Sequence, residues 1–96
     1  MIAVSLFRAP LRQAAQAAAA CPDVVDGRYV VRIDIGTDGR ARGTELRDSP
    51  GVTLLAEECI ERAFTTQPYP GVGPGPRSQD HIYLSFPFVV SGRPAP

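Results

Sequence analysis

The sequence predicts an α+β domain, in which a three-stranded antiparallel sheet carries two helices on one face in the order α-β-β-α-β. Two stretches that alternate with a period of two residues, 29–35 and 82–90, predict strands, and two stretches with helical spacing predict the helices. The chain has 96 residues, which fits a single domain with one core over residues 1–96. We expect residues 1–9 to be loose and residues 91–96 to form a tail.

The first helix is predicted over residues 10–20, PLRQAAQAAAA. Pro10 suits a first helical turn, and alanine and glutamine favour the helix. Pro22 ends it, because the residue before a proline disfavours the helical conformation. The apolar stripe is mostly alanine, so this helix can lie close to a sheet.

A β-hairpin is predicted in GRYVVRIDIGTDGRARGTELRDS. Gly39 supplies the turn, because it can take a positive φ. Residues 41–47 return as a weaker strand, and Gly43 within it indicates a bulge or a close backbone approach. The first strand is expected to bury its apolar phase, which consists of Tyr29, Val31, Ile33 and Ile35.

A second helix is predicted after the hairpin, with Ser49 as its cap and Pro50 in its first turn. Residues 65–80 are rich in proline and glycine and are predicted to form a loop. The buried face of the helix is expected to contain Val52, Leu55, Cys59 and Ala63, with Ile60 and Phe64 beside them.

The last strand is predicted in HIYLSFPFVVS, residues 81–91. Pro87 cannot donate a backbone hydrogen bond, so this strand is expected at an edge of the sheet. One face of this strand is expected to carry Ile82, Leu84, Phe86, Phe88 and Val90. The other face is expected to carry His81, Tyr83, Ser85, Pro87 and Val89.

Net charge argues against one class of partner, and the length of the apolar runs argues against a membrane-spanning helix. Ten basic residues, all arginine, balance ten acidic ones, and the net charge is zero. Nucleic-acid-binding domains are usually basic, so we expect no nucleic acid as a partner. No apolar run approaches the roughly 20 residues that a membrane-spanning helix needs.

The sequence predicts no catalytic residue, no metal site and no cofactor. Cys59 with His81 could form a thiol nucleophile and its base, but Cys59 lies at an apolar position within a helix, where reactive thiols are rare. The cysteines and the histidine are too few and too widely spaced for a zinc site. GVGPGP has prolines in place of the N–H donors that a phosphate loop needs.

The two cysteines, Cys21 and Cys59, leave two alternatives. They could form a disulfide, since both helices are expected on one face of the sheet. They could equally be two buried thiols in a reducing compartment. The residues alone do not separate these alternatives.

Several of these motifs together resemble the TonB C-terminal domain. GRYVVRIDIGTDGRARGTELRDS is similar to the first hairpin of that family, which has the pattern G-x-V-x-V-x-I-x-x-D-G-x-V and then a serine before the helix. QPYP and IYLSFPFVV resemble its later Phe/Pro stretch and final strand. The two cysteines resemble the myxobacterial AgmX/PglI type of the domain. Ala41, where the family has a larger aliphatic residue, and the long loop over residues 68–80 depart from the pattern.

The resemblance implies a non-enzymatic protein-interaction module of the periplasm or cell envelope, of a kind used in energy transduction, transport or gliding motility. Its partner would be an extended peptide of another protein, for instance one in the outer membrane, added as a strand to the last strand of the sheet. An oxidising periplasm would also favour a disulfide between Cys21 and Cys59. By analogy, the partner-binding residues would be His81, Tyr83, Ser85 and Val89, with Arg77 nearby.

Four alternatives stand beside this interpretation. Tyr83 and Val89 could simply cover the second face of the sheet. The same edge could pair with a second copy and make a homodimer. The domain could be a cytoplasmic adaptor with reduced cysteines, or a small thiol enzyme.

Overall fold

The structure is a computed structural model that describes residues 4–71 and 81–92, so most of the expected tail and much of the proline- and glycine-rich loop lie outside the described residues. The order α-β-β-α-β and the antiparallel three-stranded sheet are confirmed. The elements are a 3-10 helix, Val4–Phe7; the helices α1, Arg8–Ala19, and α2, Leu54–Thr66; and the strands β1, Gly27–Gly36, β2, Ala41–Asp48, and β3, His81–Val90.

The sheet has the order β2-β1-β3, with β1 in the centre. β3 pairs with β1 without interruption, from Gly27 opposite Val90 to Gly36 opposite His81. β2 is less regular, because its register with β1 shifts twice, and one shift lies next to Gly43. Of the two expectations for Gly43, the bulge is confirmed, because its neighbour Arg42 is the extra residue, whereas nothing approaches Gly43 within 4 Å of an added Cβ.

The core lies between the helices and one face of the sheet. The predicted apolar phase of β1 is confirmed, since its four members are fully buried. α1 and α2 pack against each other and above the sheet, as expected for two helices on one face. The helices contribute Leu11, Ala14 and Ala18 from α1 and Ala56, Ile60 and Phe64 from α2.

Aromatic rings connect β3 to this core. The Tyr29 and Phe88 rings stack with their centroids 5.2 Å apart, and the Phe64 ring lies 5.5 Å from Phe88 and 6.1 Å from Phe86. The Tyr29 hydroxyl is satisfied locally, because it donates to the Val25 carbonyl oxygen at 2.6 Å.

The predicted start of the second helix is wrong. α2 begins at Leu54 and is capped by Thr53, whose hydroxyl accepts the Ala56 N–H at 3.2 Å. Ser49 and Pro50 belong to the connection before it. The buried face of α2 is centred on Ala56, Ile60 and Phe64, one position on from the predicted face, so Leu55 is exposed, contrary to expectation.

The start of the chain is also more regular than expected. Val4–Phe7 forms a 3-10 helix that leads directly into α1, which begins at Arg8, and not at residue 10. Phe7 is fully buried in the core. Residues 4–9 are therefore part of regular helical structure.

The segment after α2 is fixed to the β1–β2 turn by Tyr69. Its backbone N–H donates to the Gly39 carbonyl oxygen at 3.1 Å, and its hydroxyl donates to the Phe64 carbonyl oxygen at 2.8 Å. Burial raises the pKa of the Tyr69 phenol above its ordinary value, so the hydroxyl stays protonated and keeps its donor. Gly39 has φ +86, and a Cβ there would collide with the Tyr69 carbonyl oxygen.

Gly39→Ala is expected to lower the free energy of unfolding by about 2 kcal/mol, because it adds a Cβ both at a positive φ and against Tyr69. Urea denaturation measures the change. Gly43→Ala is the matched control, since a Cβ at Gly43 meets nothing within 4 Å. Equal losses in the two variants would contradict this account of Gly39.

Candidate functional site

The outer edge of β3 is the candidate site. Within the described residues, β1 is the only strand that pairs with β3, so one flank of β3 has no strand beside it. This confirms the expectation, based on Pro87, that the last strand lies at an edge. An edge strand presents backbone N–H and C=O groups that can pair with another chain.

The pairing identifies which residues of β3 point these groups outward. The Leu46 N–H is bound by the Glu61 carboxylate at 3.0 Å, so it points away from β1. Its neighbour across the ladder, Val31, must then point its backbone groups towards β3, where it pairs with Phe86. Since the backbone N–H and C=O groups of successive residues alternate between the two flanks of a strand, those of the odd-numbered residues of β3 point away from β1. Pro87 agrees with this assignment, because a residue whose backbone groups point away from β1 donates no N–H to the ladder with β1.

The predicted partner-binding residues of β3 belong to this outward phase. Tyr83, Ser85 and Val89 are exposed on the face of the sheet opposite the helices. His81 is the first residue of β3 and lies opposite Gly36. The structure therefore brings these four positions together along one edge, whereas Arg77 lies outside the described residues.

The core side of β3 is incompletely covered. Its residues alternate as predicted, and those that face the helices pack against the core. All of them except Val90 nevertheless stay partly exposed, whereas their counterparts on β1 are fully buried. An added strand at this edge would therefore bury apolar surface as well as backbone groups. The partly exposed residues are Ile82, Leu84, Phe86 and Phe88.

The other edge of the sheet, β2, is protected. α2 packs beside β2, and its Glu61 occupies the outward Leu46 N–H. The Thr44 hydroxyl is bonded to the Thr65 hydroxyl of the same helix at 2.8 Å. The two edges are therefore not equivalent, and β3 is the more accessible one in the part of the chain that the structure describes.

The face opposite the helices has a shallow, open pocket of about 290 Å³. In it the Arg32 guanidinium carbon lies 5.1 Å from the centroid of the Tyr83 ring, a cation–π contact. Gly43, which has no side chain, leaves room beside them. The lining residues are Arg32, Asp34, Gly43, Thr44, Glu45 and Tyr83.

The cysteines form a disulfide, with the Cα atoms of Cys21 and Cys59 6.0 Å apart. Neither is a free thiol in this state, so the structure holds no thiol nucleophile. No group of three or more metal-ligating side chains occurs in the described residues. The described groups at the β3 edge offer hydrogen bonding and apolar contact, and Arg32 beside it offers a positive charge.

Sequence reasoning missed two residues of this region. Arg32 was visible only as a polar residue in the alternation of β1, and nothing in the spacing indicates its contact with Tyr83. Glu61 lies on the polar side of α2, and its bond to β2 depends on how the helix sits beside the sheet. No helix in the described ranges is long and apolar enough to cross a membrane.

Comparisons with known proteins do not identify a family. No protein-family model, curated protein or solved structure matches the chain. The relation to TonB C-terminal domains therefore stays a prediction from the sequence motifs, and the geometry of the β3 edge carries the functional argument.

Reduction of the disulfide is expected to lower the free energy of unfolding by about 4 kcal/mol, as the chain-entropy model gives for a loop of 38 residues. Urea denaturation with and without reductant measures this change. The double variant Cys21→Ala/Cys59→Ala is the control, because reductant should not affect it. An unchanged midpoint on reduction of the wild type would contradict a stabilising role.

Glu61→Ala is expected to lower the free energy of unfolding by about 1 kcal/mol, because it leaves the outward Leu46 N–H without its acceptor. Glu58→Ala, at an exposed position of the same helix, is the matched control. Equal losses in the two variants, measured by urea denaturation, would show that Glu61 has no special role at the β2 edge.

Proposed function

We propose that this domain is a non-enzymatic protein-interaction module that binds an extended segment of a partner as an additional strand at the outer edge of β3. The observation that carries the proposal is the combination of outward backbone groups with a partly exposed apolar row on one strand. A partner strand there would form hydrogen bonds with the outward backbone groups and cover the apolar row.

Backbone pairing would supply much of the affinity. The outward N–H groups of His81, Ser85 and Val89 are each placed to donate to the added strand, and a hydrogen bond of this kind contributes about 1 kcal/mol net. Pairing of this type is independent of partner sequence, since every residue except proline offers both groups. A suitable partner is thus an extended segment without proline at the paired positions.

Side chains on the two faces would supply specificity, as in other cases of strand addition. On the core side, alternate partner residues would lie beside the partly exposed apolar row of β3, which favours apolar side chains. On the opposite face they would lie beside Tyr83, Ser85 and Val89. The partner segment is therefore expected to alternate in character along its length.

An oxidising compartment suits the domain, because disulfides persist there and are rare in the cytosol. Together with the resemblance to TonB C-terminal domains, this supports a place in the periplasm or cell envelope, in a transport or motility machine. The disulfide argues against the reduced cytoplasmic adaptor. Self-pairing of two β3 strands uses the same edge, but Pro87 would then remove a donor from both copies.

The test begins with random peptides of about nine residues, matched to the ten residues of β3, displayed on phage and selected on the oxidised domain. Backbone hydrogen exchange of the complex follows. Slowed exchange at the Ser85 and Val89 amides is expected. Peptides that protect no amide of β3 would refute strand addition, and light scattering over a dilution series would reveal the homodimer instead.

Ser85→Pro is expected to weaken binding of a selected peptide about tenfold or more, because it removes one outward donor and places a ring against the added strand. Ser85→Ala is the matched control, with an affinity within about twofold of the wild type. Isothermal titration calorimetry measures both, and circular dichroism checks that both fold.

Should Ser85→Pro fail to fold, Val89→Pro and Val89→Ala form a second pair at another outward position. Equal affinity of the proline and alanine variants in a folded pair would show that the partner does not use the backbone of this edge.

A further inference from the structure

We infer that the partner strand is acidic on the face opposite the helices, where a carboxylate pairs with Arg32. This inference rests on the proposed function and adds the chemistry of the partner to it. Arginine is suited to such a role, since its planar guanidinium matches the geometry of a carboxylate.

Arg32 has no acidic partner among the described residues. The ion pairs there are Arg42 with Asp38 at 3.6 Å and Arg47 with Glu45 at 3.1 Å, and neither includes Arg32. Its guanidinium makes a cation–π contact with Tyr83, with the guanidinium carbon 5.1 Å from the centroid of the ring. The N–H donors of the guanidinium can still bind an acceptor, since the face of a ring does not replace an ionised carboxylate as their partner.

The contact with Tyr83 also places the charge of Arg32 close to the β3 edge. Arg32 belongs to the central strand β1, but its guanidinium lies over the Tyr83 ring of β3. The residue of β3 directly opposite Arg32 is Ser85, whose short side chain leaves the route to the outer edge open. An added strand would lie two strand spacings from β1, about 9.5 Å. An arginine and a glutamate side chain together span that distance.

A second arginine extends the same pattern. Arg28 lies four residues before Arg32 on the same exposed face of β1, and it has no ion pair within the described part of the chain. The residue of β3 opposite Arg28 is Val89, whose short side chain does not block the route from Arg28 to the outer edge. Four residues of a strand span about 13 Å, so the partner is expected to carry acidic side chains four residues apart.

The acidic residues of this face lie further from the edge. Glu45 is opposite Arg32 on β2, the far side of the sheet, and binds Arg47. Asp34 is on β1, but the bulky Tyr83 lies between it and the outer edge. A strand added to β3 would therefore meet arginine before it meets a carboxylate, which favours an acidic partner over a basic one.

The test uses the tightest peptide from the phage selection, synthesised with Glu, Gln or Lys at each alternate position. At one position, the Glu peptide is expected to bind wild type about fivefold more tightly than the Gln peptide, as for a partly exposed ion pair, and the Lys peptide more weakly still. In Arg32→Gln the Glu and Gln peptides are expected to bind equally. Arg32→Lys, which keeps the charge, should retain part of the preference.

Arg12→Gln, an exposed arginine on α1, is the matched control and should keep the full preference for Glu. A peptide that protects the β3 amides but binds equally well with Glu and Gln would overturn the acidic partner and leave strand addition intact. A preference for Glu that survives in Arg32→Gln would overturn the role of Arg32. If no selected peptide protects β3, the proposed function itself fails.

Discussion

The Cys21–Cys59 disulfide is the constraint on which the arrangement of the two helices depends. It joins the end of α1 to the middle of α2, and the Gln13 and Gln67 side chains meet further along the pair at 3.1 Å. A domain of this size buries only about two-thirds of the surface that its unfolded chain exposes, so a covalent link adds stability that the core alone would not supply. The link keeps α1 and α2 side by side above one face of the sheet.

This one-sided arrangement explains why the strands differ. β1 lies under the helices and between two strands, so its apolar residues are fully buried. β2 lies beside α2, which covers its edge through Glu61. β3 has β1 on one flank and only part of the core above it. The aromatic contacts of Phe86 and Phe88 with Phe64 and Tyr29 join β3 to the core, which helps to orient the backbone groups of its outer edge before a partner arrives.

Most of the fold could be predicted from the sequence, since the alternation in β1 and β3 and the turn at Gly39 are local patterns. The start of α2 could not, because Ser49 with Pro50 and Thr53 are rival caps, and only packing decides that the helix begins after Thr53. Periodicity also does not show which strand lies in the centre of the sheet. Pro87 indicates only that β3 lies at an edge. The contacts of Arg32 with Tyr83 and of Glu61 with Leu46 depend on neighbours that are distant in sequence, and the spacing of residues does not report them.

Pro87 shows how one residue can restrict an exposed edge and still leave it usable. A second copy of β3 would present the same gap, so a self-paired edge would lack two donors, whereas a different partner strand would meet only one gap. The edge therefore discriminates against its own copies by backbone chemistry. Arg28 and Arg32 would lie about 14 Å, three strand spacings, from their copies in such a pair, so the missing donors and not these charges are what weakens self-pairing. A different strand meets only one gap and can place carboxylates within reach of the two arginines, which is why such a strand is a better partner for this edge than a second copy of β3.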